Sequence, residues 1–131
     1  MAIQHGAASR TAAGQAIADK YAGGTLKLFS GAVPANCAAS DPAGELASGT
    51  LPSPCITVAA GVLSKTGAWA FTGSAAGTAA SFRIYTSAAV CEAQGDVTVT
   101  AGGGVMEISD TVVTIGRAGS VTAYSETVGG A

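Results

Sequence analysis

The chain has 131 residues, enough for one hydrophobic core and not comfortably for two. Charged residues are only 11% with a net charge of −2, and the six Lys and Arg are scattered singly. That argues against a nucleic-acid surface, and no stretch reaches the roughly 18 apolar residues of a membrane helix. Alanine contributes 29 residues against 22 for Val, Ile and Leu together. The expected core is therefore thin, with part of the stability expected from partners.

The opening MAIQHGAASR has no positive segment followed by an apolar one, so it does not read as a signal peptide, and synthesis in a cytosol is expected. Residues 1–8 are small and polar apart from Met1 and Ile3 and read as a flexible N-terminal arm; residues 9–131 read as a single domain. Ala13, Ala16, Ile17 and Tyr21 recur at helical spacing. They predict a helix over about 9–22, with Ser9 or Thr11 as its cap and Gly23 and Gly24 as its left-handed stop.

The period then changes to alternation in TLKLFS, residues 25–30, with Leu26 and Leu28 on one face and Lys27 and Phe29 on the other. All four prolines fall in 31–54, a predicted long loop with a possible short strand at 45–51. Further strands are predicted at 55–60, 68–72, 78–86, 96–100, 105–109, 111–115 and 120–127. In the clearest, Phe82 and Ile84 face inward while Arg83 and Tyr85 face outward. Trp69 and Phe71 share a face, read as core, with an exposed docking patch as the alternative. The run Gly102, Gly103, Gly104 reads as a hairpin tip. Short strands at roughly 8–12-residue spacing predict an antiparallel sandwich or barrel.

Chemistry is sparse. The glycine pair before Lys27 follows a helix and precedes a strand, the reverse of a phosphate loop. His5 is the sole histidine and lies in the predicted arm, out of place for a triad base. The close carboxylates Asp41/Glu45 and Glu107/Asp110 lack a context that raises acidity or cups a metal. Cys37, Cys55 and Cys91 are odd in number and widely spaced, and form no zinc set. Reduced, buried thiols are expected, with a Cys37–Cys55 bridge as the alternative. No enzyme, cofactor or metal is expected. The candidate residues are instead for protein contact: Ile3, Gln4, His5, Arg10, Lys27, Arg83 and Tyr85. Tyr and Arg are enriched at binding hot spots.

The order "SRTAAGQAIADKYAGG", "TLKLFSGAVPAN", "GELASGTL", "GTAASFRIYTS" and "GGGVMEISDTVVTIGRAGSVTAYSET" resembles a family of tailed-bacteriophage head decoration, or cement, proteins. The resemblance spans about residues 9–127. It implies an all-β fold, an antiparallel β-sandwich of jelly-roll type with a short N-terminal helix and an extended N-terminal arm. It also implies a viral structural protein on the outer capsid surface, a dimer or trimer that ties neighbouring major capsid subunits together. The alternative is a tail, tail-fibre or baseplate component that adheres to the host surface. Neither expectation involves nucleic acid or a membrane.

Overall fold

The computed structural model describes residues 4–128, so Ile3 lies outside the described residues. Helix α1 (Ala7–Tyr21) follows Gly6 without a side-chain cap. The predicted caps Ser9 and Thr11 are therefore inside the helix, and the last two residues of the predicted arm form its first turn. The buried face is Gly14, Ala18 and Tyr21, with Ile17 half-buried, while Ala13 and Ala16 are exposed. The predicted stripe was rotated because a hydrophobic pattern does not register glycine. Gly14 is there for close approach: a Cβ at this position would lie 2.7 Å from Val58 Cγ1 and 2.9 Å from Leu63 Cδ1. Of the predicted glycine stop, Gly23 is left-handed at φ +69°, whereas Gly24 is not.

The strands are β1 (Thr25–Phe29), β2 (Glu45–Thr50), β3 (Ile56–Ala59), β4 (Val62–Lys65), β5 (Ala70–Gly73) and β6 (Gly77–Thr78). They continue with β7 (Ser81–Tyr85), β8 (Cys91–Val99), β9 (Met106–Ile108), β10 (Val112–Val113) and β11 (Ala118–Thr127). The all-β expectation holds. The strands run β11-β5-β2-β1-β7-β8-β9, and β9 pairs back to β11, closing a seven-stranded barrel, the second of the two architectures read from the strand spacing and not the jelly-roll sandwich that the resemblance implies. Strand β11 is long enough to pair in turn with β5, β9 and β4.

Leu26, Leu28, Leu46, Phe71, Phe82, Ile84, Met106, Ile108, Val121 and Tyr124 belong to one buried cluster. Each large apolar side chain fully buried there contributes roughly 1.5–3 kcal/mol. Trp69 and Phe71 are core, as read from the sequence. The Trp69 ring lies 5.2 Å from that of Tyr124, and its Nε1 donates to Cys55 O at 3.1 Å.

Two turns differ from the sequence reading. Strand β4 was not predicted, because its hairpin with β3 turns through Ala60 and Gly61, both at positive φ, and Ala60 gives no turn signal. Helix α1 ties down that turn: Arg10 Nη1 donates to Ala60 O at 2.7 Å, and Ala60 N–H donates to Thr11 Oγ1 at 3.0 Å. These side chains occupy backbone groups that an edge hairpin would otherwise expose. The glycine run is not a simple hairpin tip either. The chain doubles back so tightly that β9 pairs parallel with β8 after only a short connection. Gly102 and Gly104 lie against the Thr98 side chain, where added Cβ atoms would be 2.7 and 2.8 Å from it.

Candidate functional site

Alternation in β1 and β7 sends Lys27, Arg83 and Tyr85 to the barrel's outer face, opposite Leu26, Leu28, Phe82 and Ile84. Register across four strands then places Ser48, Lys27, Arg83 and Gln94 in one row. The sequence reading takes this face to be solvent-exposed. It is covered: Arg83 is 2% exposed and Tyr85 is 7% exposed. The cover is the 31–43 segment, here called the strap, which folds back over β7 and β8. Its foot is closed by Ser30 N–H to Gly44 O at 2.9 Å and Gly31 N–H to Ala43 O at 3.0 Å.

Three strap groups meet the row. Arg83 Nη1 pairs with Asp41 Oδ1 at 2.9 Å, Nη2 donates to Asn36 O at 3.2 Å, and Nε donates to Gln94 Oε1 at 3.2 Å. Gln94 Nε2 in turn donates to Pro34 O at 2.7 Å. Tyr85 donates its hydroxyl to the same Asp41 oxygen at 2.5 Å. Lys27 pairs with Glu45 at 3.0 Å and stands 5.4 Å from the centre of the Tyr85 ring, within cation–π reach. A buried guanidinium is tolerated only with its donors satisfied, and no buried side-chain polar atom among the described residues lacks a partner.

The electrostatics follow from these contacts. The Tyr85 hydrogen bond, aided by Arg83, holds the Asp41 carboxyl below the usual carboxylate range, against its partial desolvation. Burial, reinforced by Asp41, pushes the Tyr85 phenol up.

The strap is also fixed covalently. Cys37 pairs with Cys91 at the start of β8, with a Cα–Cα separation of 5.5 Å. This corrects both cysteine expectations: two of the three thiols are joined, and the partner of Cys37 is not Cys55. Cys55 is free and fully buried, and burial pushes its thiol up to about 11, which leaves it unreactive.

Two further clusters are structural in character. Tyr21 and Tyr124 each donate to one oxygen of Glu126 at 3.0 Å, tying α1 to β11. Burial raises both phenols first; the Glu126 charge comes next for Tyr21, and the neighbouring Tyr21 and then Glu126 for Tyr124. A groove of about 390 Å³ is lined by Lys65, Glu107, Thr122 and Tyr124 among others. Its charges are engaged: Lys65 donates to Gly67 O at 2.7 Å, and Glu107 accepts from the Ala101 and Gly103 amides at 3.1 and 3.2 Å. Among the described residues no three His, Cys, Asp or Glu side chains form a metal-sized cluster.

Of the residues singled out from sequence, the structure gathers Lys27, Arg83 and Tyr85 at one place. Arg10 is engaged with the β3–β4 turn and with His5 O, while Gln4 and His5 are exposed. Sequence reasoning noted Asp41 but set it aside, and missed Gln94, Asn36 and the Cys37–Cys91 pair; the one local hint was the proline- and glycine-rich composition of the covering loop. Comparison with protein-family models, with curated proteins and with solved structures returned no match.

Proposed function

We propose that the chain is a structural protein of a tailed bacteriophage that decorates and cements the outer capsid surface by bridging neighbouring major capsid subunits. The observation that carries the reading is how the barrel spends its scarce aliphatic side chains. Among the described residues, seven of the Val, Ile and Leu side chains are exposed: Val33, Val62, Val90, Val99, Val105, Val112 and Ile115, the last at 77%. A chain with so thin a core that leaves such groups in water fits one whose surface meets protein, where weak patches gain strength by acting together.

The low charge and the ordered motif resemblance support the same reading. The disulfide suits a particle that works outside a reducing cytosol. In this account the protein is made in the host cytoplasm, acts as a dimer or trimer, performs no catalysis and needs no cofactor. The barrel takes the place of the jelly-roll sandwich that the resemblance implies.

The test is to add purified protein to heads lacking it. Decorated heads are expected to resist heat and chelators better than bare ones. Unchanged melting would overturn the proposal, and binding to host cells or glycans instead would transfer it to the tail.

A further inference from the structure

The face beneath the strap has the makings of a ligand site, and its present ligand belongs to the chain itself. Lys27 and Arg83 sit at directly paired positions on neighbouring strands. Like charges so placed repel unless anions meet them; here Glu45 meets Lys27 and Asp41 meets Arg83. One arm of the Arg83 guanidinium, Nη1, and the Tyr85 hydroxyl converge on a single oxygen, Asp41 Oδ1, while Nη2 and Nε are held by Asn36 O and Gln94 Oε1. A planar guanidinium with an adjacent phenol donor is a geometry suited to carboxylate recognition.

The anion is supplied by a segment only lightly tied to the barrel. Between its feet the strap makes one backbone–backbone hydrogen bond, Ala39 N–H to Asn36 O, and that bond is internal. Its other ties to the sheet are side-chain bonds from Arg83, Tyr85 and Gln94, one from Ser81 Oγ to Gly31 O at its foot, and the Cys37–Cys91 bridge. The Asp41 side chain is itself 46% exposed, so an incoming carboxylate has a path to the position it occupies. While the bridge is closed, Asp41 competes as a tethered group at high effective concentration, and a free carboxylate in solution is excluded.

We propose that Arg83, Tyr85 and Lys27 form a binding site for an acidic peptide segment, that Asp41 fills it as an internal ligand, and that the Cys37–Cys91 bridge keeps it filled. A dithiol opens the site by reducing the disulfide: two electrons and two protons pass to Cys37 and Cys91, and the dithiol leaves as its cyclic disulfide. The strap remains attached at residues 30 and 44 but loses its covalent anchor, and Asp41 becomes displaceable. The site is a property of the isolated chain and does not depend on a capsid role.

The experiment measures binding of a fluorescent hexaglutamate peptide by anisotropy. The full chain is compared oxidised, reduced with dithiothreitol, and as Cys37→Ser/Cys91→Ser, with and without Asp41→Asn. Opening the bridge is expected to tighten binding by about tenfold or more, and Asp41→Asn to tighten it again. Arg83→Met in the bridge-free background is expected to abolish it. Equal affinity in the oxidised and reduced wild-type chain overturns the proposal. Hydrogen exchange of the wild-type chain provides a check that needs no variant. On reduction, the Ala38 and Ala39 amides, which donate to Asn36 within the strap, are expected to exchange faster while β1 and β7 keep their protection; unchanged exchange at Ala38 and Ala39 after reduction also overturns it.

Discussion

Removing Asp41 should cost far more than removing its partner Arg83, although the two form one ion pair. The asymmetry comes from burial. Arg83 is 2% exposed, whereas the Asp41 side chain is 46% exposed. Asp41→Ala leaves a buried guanidinium with only the neutral acceptors Gln94 Oε1 and Asn36 O. Stranding a buried charge costs about 3–5 kcal/mol, and partial water access at the strap edge places this case near 3 kcal/mol. Arg83→Met returns Asp41 to water and keeps most of the buried volume apolar, so about 1 kcal/mol is expected from the lost hydrogen bonds.

The double variant should therefore be more stable than Asp41→Ala alone, recovering about 2 kcal/mol. At this chain length each kcal/mol moves Tm by roughly 3–5 °C. Thermal unfolding followed by circular dichroism, with the disulfide intact, separates the three variants. The pH dependence has a definite sign. The folded pKa of Asp41 lies below its unfolded value of about 3.9, so its contribution is complete above pH ~4 and is lost as pH falls through the folded pKa. The wild-type advantage over Asp41→Ala should shrink accordingly in acid. An Arg83→Met variant as unstable as Asp41→Ala, or a double variant less stable than either, would refute the reasoning.

All three tyrosines donate to carboxylates and have raised pKa values, so they should remain protonated in the folded chain past pH 10, where unfolded tyrosine ionises. Stability should fall above pH ~10, at up to about 4 kcal/mol per pH unit if all three phenols are released together. Absorbance at 295 nm should show one cooperative phenolate step coincident with unfolding; a gradual rise from a folded chain near pH 10 would contradict it. Gly14→Leu should cost about 1–3 kcal/mol by overpacking against Val58 and Leu63, seen as a lower urea midpoint, and an unchanged midpoint would show that the hairpin yields. Non-reducing peptide mass analysis should find Cys37 joined to Cys91 with Cys55 free. Reduction should lower stability by about 4 kcal/mol on the chain-entropy account of a 54-residue separation. A Cys37–Cys55 peptide would contradict the pairing.

What the sequence revealed was local. Alternation around Leu26 and Leu28 and around Phe82 and Ile84 identified both strands and their inward faces, and Gly23 marked the helix end. The direction of Arg83 and Tyr85, away from the core, was also legible. Their burial was not, because it depends on where a loop some 40 residues earlier in the chain comes to rest. The pairing of Cys37 with Cys91 and the meeting of Tyr21 with Glu126 are equally nonlocal. Gly14 and Ala60 escaped for a different reason. One packs by having no side chain, and the other adopts a left-handed turn that alanine seldom signals.

The central functional claim is tested most directly by counting copies of the chain per particle, using quantitative mass spectrometry on purified virions with the major capsid protein as internal reference. A cement protein should be present in a fixed, high ratio to the major capsid subunit, set by the lattice. A few copies per particle, or none on tailless heads, would contradict the account.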